Sequence, residues 1–193
     1  LILIITILLP VNTTFASSVG PRYEGPMIDA HAHPVQRSVN WMLNTLDSYQ
    51  KAGLTRTIFM GGYAALEAHR FRPKEIIPST DEGWLNRTGT VAHLDESLKR
   101  GFQWVGEMAL RHWGISNIPA DHPIALQVYD VCSRHQVPIT IHQDSRDFRG
   151  AYEELEKAME KSPSCGFVFH GWWLGRDHLT LPALENMILK HPN

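Results

Sequence analysis

Cysteine is scarce in this chain: two residues in 193 cannot build a disulfide framework or a Cys-based zinc cage. Nor is either charge in excess. Eighteen basic and 20 acidic side chains leave a net charge of -2, which gives no electrostatic footprint for nucleic acid or an anionic membrane surface. No apolar run approaches the roughly 20 residues that a membrane-spanning helix requires. Low-complexity segments and internal repeats are missing as well. A hydrophobic fraction of 43% with 20% charged residues excludes a disordered or fibrous chain. The length favours one domain over two. What the chain has in quantity is histidine: 11 residues, against 5 Tyr and 7 Phe.

Residues 1–9 (LILIITILL) fit the apolar region of a secretory signal, and Thr14-Phe15-Ala16 supplies small residues where a cleavage site needs them. No basic segment precedes them, so residues 1–16 are expected to be a partial signal peptide and the mature protein to be exported, periplasmic or secreted. The other reading is a buried strand of the mature fold. In an oxidising compartment Cys132 and Cys165 either pair or remain two buried free thiols. At the far end TLPALENMILKHPN reads as a helix. Pro182 lies in its first turn, and Leu184, Met187, Ile188 and His191 share one face. Both ends look cut.

Between the ends, short apolar strands alternate with amphipathic helices. Strands are expected at 27–33, 55–60, 75–79, 104–109, 137–142 and 166–170. Helices are expected at 39–52, 64–70, 93–100, 121–135 and 152–161, with Gly53 as a left-handed C-cap and Asp121 as an N-cap. Six strand-then-helix repeats with no hairpin signal argue for parallel β/α units. The phosphate-binding fingerprint G-x-G-x-x-G of a doubly wound sheet is absent, since the first strand runs into His-Ala-His-Pro. A full barrel takes about 250 residues. The fold expected is therefore α/β, a TIM-type (β/α)8 barrel truncated here to about six β/α units. Residues 17–26 would be a linker and 27–193 the incomplete barrel domain.

Strict alternation in Ile28-Asp29-Ala30-His31-Ala32-His33 puts Asp29, His31 and His33 on one strand face. Imidazoles at i and i+2 lie roughly 6–7 Å apart at Cα, a span that one metal ion bridges. Chance alone would supply roughly 0.6 such pairs at this histidine content, so the motif needs context. The context is that His142 closes the strand VPITIH, His170 closes GFVFH, and Glu107 stands at the end of the strand in WVGEMA. Strand carboxyl ends are where β/α architectures build active sites. Imidazole and carboxylate together suit a borderline divalent ion such as zinc. Arg111 and His112, just beyond the fourth strand, are placed to hold a substrate carboxylate or phosphate, or to stand as a solvated loop pair. Trp172 and Trp173 would wall the pocket or pack under a loop. Asp29 would orient a ligand. His69, His93, His122, His135, His178 and His191 fall on helices or their ends, as surface or packing residues.

The set IDAHAHP at 28–34, VGEMAL at 105–110, PITIHQD at 138–144 and FVFHG at 167–171 resembles the amidohydrolase superfamily of metal-dependent hydrolases, over essentially all of 27–193. The lead into the fifth strand and the Phe-His-Gly after the sixth look most like amidohydrolase family 2; Val-Gly-Glu is similar to TatD-like hydrolases. The resemblance implies one or two divalent metal ions, zinc first. His31, His33, Glu107, His142 and His170 would be the ligands, with Glu107 where relatives carry a bridging group. It implies a metal-activated water that cleaves an amide, ester, lactone or phosphoester bond of a small-molecule substrate. Relatives use an Asp at the end of the eighth strand as ligand and base. No residue of this sequence takes that role, Asp144 and Asp177 included. The alternatives are a metal-dependent decarboxylase or hydratase on the same ligands, a phosphoesterase of the polymerase-and-histidinol-phosphatase type, or an inactive fragment that at most binds metal. A nuclease is disfavoured because the chain is not basic.

Overall fold

A computed structural model describes residues 25–81, 89–112, 116–143, 150–169 and 181–192. The chain is an α/β protein of TIM-barrel type, with six parallel barrel strands among the described residues. In chain order the elements are β1 (Met27–Ala32), α1 (Val39–Lys51), β2 (Leu54–Phe59), α2 (Tyr63–Phe71), β3 (Ile76–Pro78), α3 (Thr90–Lys99) and β4 (Val105–Ala109). There follow the short strands β5 (Arg111–His112) and β6 (Ser116–Asn117), then α4 (Pro123–His135), β7 (Ile139–His142), α5 (Ala151–Lys161), β8 (Phe167–Phe169) and α6 (Leu181–Lys190). Among the described residues no helix is long and apolar enough to cross a membrane. The proposed signal segment, most of the linker, His170, Trp172 and Trp173 lie outside the described residues.

Local chemistry explains the elements. Ser38 caps α1 by accepting the Trp41 N–H at 3.2 Å, and Met42 and Leu46 turn fully inward. Gly53 follows with φ +93°, the left-handed exit expected of it. The cap of α4 falls one residue later than expected. It is His122, not Asp121: the His122 Nδ1 accepts the Ile124 N–H at 3.2 Å, with Pro123 in the first turn. β5 and β6 form a small antiparallel pair, Arg111 opposite Asn117 and His112 opposite Ser116, where no hairpin was expected. At two residues per strand, such a pair is too short to leave a period-two signature.

The barrel strands pair in the order β1-β2-β3 and β4-β7-β8, all parallel. Among the described residues, a bridge between Ser79 and Trp104 joins the two sheets. The Thr80 N–H donates to the Trp104 carbonyl at 3.1 Å, and the Gly106 N–H donates to Thr80 Oγ1 at 3.0 Å. Trp104 Nε1–H continues the seam inward to Thr140 Oγ1 on β7, at 2.8 Å. Behind the first sheet pack Met42, Leu46, Phe59, Ala65 and Ile76. Behind the second, Leu94, Val128, Tyr129, Ile139, Ile141 and Leu155 form the larger core. Tyr129 is wholly buried and its hydroxyl donates to the Ala120 carbonyl at 3.1 Å; burial pushes that phenol well above its ordinary pKa. Cys132 and Cys165 are buried free thiols. A hydrogen bond to Cys165, with burial, pushes the Cys132 thiol up.

Candidate metal centre

Two strand irregularities set the site. Asp29 pairs with Thr57 and Ala32 with Phe59, so β1 spends three residues where β2 spends two. β4 does the same against β7, with Val105 opposite Ile139 and Met108 opposite Ile141. Such bulges re-aim side chains, and each spans a candidate ligand: His31 in the first, Glu107 in the second. Asp29 Oδ1 accepts the backbone N–H of His31 at 3.0 Å, so Asp29 steadies the irregular backbone of β1. β1 stops at Ala32, one residue short of the expected strand, and His33 follows as an exposed residue on its way out. Nevertheless the two imidazoles meet as the i, i+2 spacing requires. Their Nε2 atoms are 2.8 Å apart and the rings lie edge to face at 71°.

Across the barrel mouth, Glu107 is 9% exposed and directs its two oxygens to different partners. Oε2 lies 3.2 Å from His33 Nε2 and 3.7 Å from His31 Nε2. Oε1 takes a hydrogen bond from His142 Nδ1. An ionised carboxylate can only accept, so Nδ1 is the nitrogen that donates to it. The His142 ring is stacked on His112, centroids 3.9 Å apart at 27°.

This donor set fits a divalent ion. His31, His33 and Glu107 each offer one ligand atom within 4.8 Å of the others. Metal–nitrogen and metal–oxygen bonds near 2.0–2.2 Å place neighbouring donors about 3.0–3.5 Å apart in tetrahedral or octahedral geometry. The three observed separations, 2.8, 3.2 and 3.7 Å, bracket that edge length. Two imidazole nitrogens and a carboxylate oxygen turned toward one point are a cation's surroundings.

Of the residues expected at the site, His31, His33 and Glu107 come together, and His142 reaches the same carboxylate from its other side. His170 and Trp172 lie outside the described residues. Arg111 was expected to hold a substrate anion or to stand in solvent; its guanidinium is instead engaged by protein. Nε donates to Glu154 Oε2 at 3.0 Å, Nη2 to Glu154 Oε1 at 2.6 Å, and Nη1 to Asn117 Oδ1. Hydrogen bonding to Glu154 raises the Arg111 pKa further. His112 packs on His142. Glu154 was not singled out from the sequence, because its partner is 43 residues away and nothing local marks the pair. A second ligand-type group, Glu156, Glu160 and His191, sits on the outer helices. There Lys190 Nζ lies 2.8 Å from both carboxylates, so an ammonium already supplies the positive charge.

The fold and this mouth define a β/α barrel with candidate metal-binding side chains at its strand ends. No family model and no curated protein matches the sequence. Solved structures do. An uncharacterised TIM-barrel protein from Bordetella bronchiseptica matches with a TM-score of 0.62 at 13% identity, over 87% of this chain and 73% of its own. A putative 2-pyrone-4,6-dicarboxylic acid hydrolase from Pseudomonas putida matches at 0.56 and 15% identity, over 85% and 64%. A dihydroxybenzoic acid decarboxylase from a Polaromonas species, solved with bound manganese and an inhibitor, matches at 0.50 and 10%, over 75% and 64%. Amidohydrolase and hydratase structures share the same fold. The likeness is one of fold. The chain spans 64–73% of the length of the three structures described.

Proposed function

We propose that this chain carries the metal-binding half of a metal-dependent enzyme mouth, and that the protein hydrolyses an amide, ester, lactone or phosphoester bond of a small molecule. The observation that carries the reading is the buried Glu107 carboxylate, with His31 and His33 on one oxygen and His142 on the other. His31 Nε2, His33 Nε2 and Glu107 Oε2 would hold one divalent ion. When bound, such an ion polarises the scissile group and lowers the pKa of a coordinated water toward 7. The protein's own part is orientation. Glu107 Oε1 accepts from His142 Nδ1 and so would orient that imidazole beside the residues that hold the ion. The buried carboxylate also offsets the ion's charge in a poorly solvated place.

A decarboxylase reading uses the same residues and is supported equally, since the manganese-bearing decarboxylase shares this fold. Labelled-oxygen incorporation from water against carbon dioxide release, across lactones and hydroxybenzoates, separates the two. The metal site is tested directly. After chelation and dialysis, titration with Zn2+ or Mn2+ should show a tight site in the natural chain, lost in His31→Ala/His33→Ala. Equal binding by the double variant would remove the proposal.

A further inference from the structure

A site that acts on a small molecule needs groups that hold the part of the substrate that does not react. Among the described residues, Arg37 and Arg111 are the Lys or Arg side chains on loops that leave the carboxyl ends of the barrel strands. Arg111 is taken up by Glu154 and Asn117. Arg37, between β1 and α1, is held differently. Its side chain is 58% exposed, and its contact is one-pronged, Nη1 lying 3.1 Å from Asp81 Oδ1. A guanidinium presents five donors in a planar fork, so one contact with Asp81 fixes where Arg37 stands and leaves most of the fork facing solvent.

The loop that carries Arg37 is pinned over the strand ends. Pro34 packs on Gly61 just beyond β2, its Cγ 3.3 Å from where a Cβ would stand, and Ser38 caps α1. Asp81, beyond β3, lies against Gly62, the cap of α2: a Cβ on Gly62 would stand 2.6 Å from Asp81 Oδ2. The start of a helix carries partial positive charge, which offsets the carboxylate and leaves Arg37 part of its own charge for an incoming anion. Both members of the pair lead back to the metal centre. His33 precedes Arg37 by four residues, no more than about 14 Å of chain. Asp81 follows Thr80, whose Oγ1 accepts the N–H of Gly106, next to Glu107. We propose that Arg37 is a specificity-determining residue that binds an oxyanion group, carboxylate or phosphate, of a small-molecule substrate whose reacting bond lies at the metal centre. Asp81 positions it. The proposal deepens the function argued above and rests on its reading of the mouth.

The test uses metal-free chain, so that no ion at the mouth can bind the probes itself. Benzoate, phenyl phosphate and the neutral benzamide are titrated against 15N-labelled protein. Affinity is read from the probes' ring protons, and contact from the Arg37 Nε–H signal, assigned by its loss in Arg37→Gln. The natural chain should bind at least one anion more tightly than benzamide, with a shift of the Arg37 signal. Preference for benzoate assigns a carboxylate, and preference for phenyl phosphate a phosphate. Affinity for that anion should fall about tenfold in Arg37→Gln, with circular dichroism unchanged, and less in Arg37→Lys, which keeps the charge but not the fork. If Arg37→Gln does not fold, Arg37→Met carries the same measurement. Equal affinity in the natural chain and the neutral variant overturns the proposal, and so do anions bound no tighter than benzamide. Zn2+ titration of the same proteins separates the two readings. A natural chain that binds no Zn2+, yet loses the anion with Arg37→Gln, defeats the metal reading and leaves the anion site standing. Zn2+ bound with anion affinity unmoved by Arg37→Gln does the reverse.

Discussion

Gly106 immediately precedes the carboxylate that organises the site, and it cannot carry a side chain. A Cβ there would stand 2.2 Å from the Thr80 carbonyl oxygen, a backbone atom with nowhere to move while its own N–H is bonded to Trp104. Gly106→Ala is expected to lower stability by about 1–3 kcal/mol, the usual range for overpacking, measured by urea unfolding. Other residues differ in how far the sequence exposes them. His31, His33 and Glu107 are legible because strand periodicity and strand-end placement are local properties. The division of the Glu107 oxygens between two histidine groups is not, since it depends on bulges that no residue type announces. Arg111 reads as an available cation for the same reason: its partner is reached only through the fold.

At the scale of elements, the helices were legible to within a few residues, because their apolar spacing and end residues are written in sequence. The His122 cap was not, as a ring nitrogen seldom replaces a Ser, Thr or Asp oxygen there. Contacts between helices show a further layer. Asp95 on α3 accepts from Lys99 Nζ at 2.7 Å and reaches across to α4, to His135 Nε2 at 2.8 Å and Arg134 Nη1 at 3.2 Å. Lys99 first, then His135 and Arg134, hold its carboxyl well below the usual carboxylate range. A depressed folded-state pKa adds stability above the unfolded value, about 4, and that contribution is lost as the pH falls below it. The natural chain should therefore lose unfolding midpoint more steeply than Asp95→Asn below about pH 4, and the two curves should run parallel above pH 6. Parallel curves throughout would show that the clamp adds nothing.

For the whole molecule, alternation of strand and helix sufficed to read the class of fold, because parallel β/α units leave a repeating pattern along the chain. The junction between the sheets left none: Ser79 and Trp104 are 25 positions apart in an otherwise ordinary stretch. Metal occupancy and global stability should be linked. Zn2+ at a hundredfold its Kd is expected to raise the unfolding free energy by about 2.7 kcal/mol, with no rise in His31→Ala/His33→Ala, as read by denaturant titration. The junction has its own consequence for that linkage. His31 lies on one sheet, with His33 just beyond its strand, and Glu107 and His142 lie on the other, so the Ser79–Trp104 seam is one place where the two parts of the donor set are joined. The spacing of the donor set therefore depends in part on the contact of Thr80 with Gly106, the residue next to Glu107. A change at that contact would be expected to shift the preference among ions of different radius without altering any ligand.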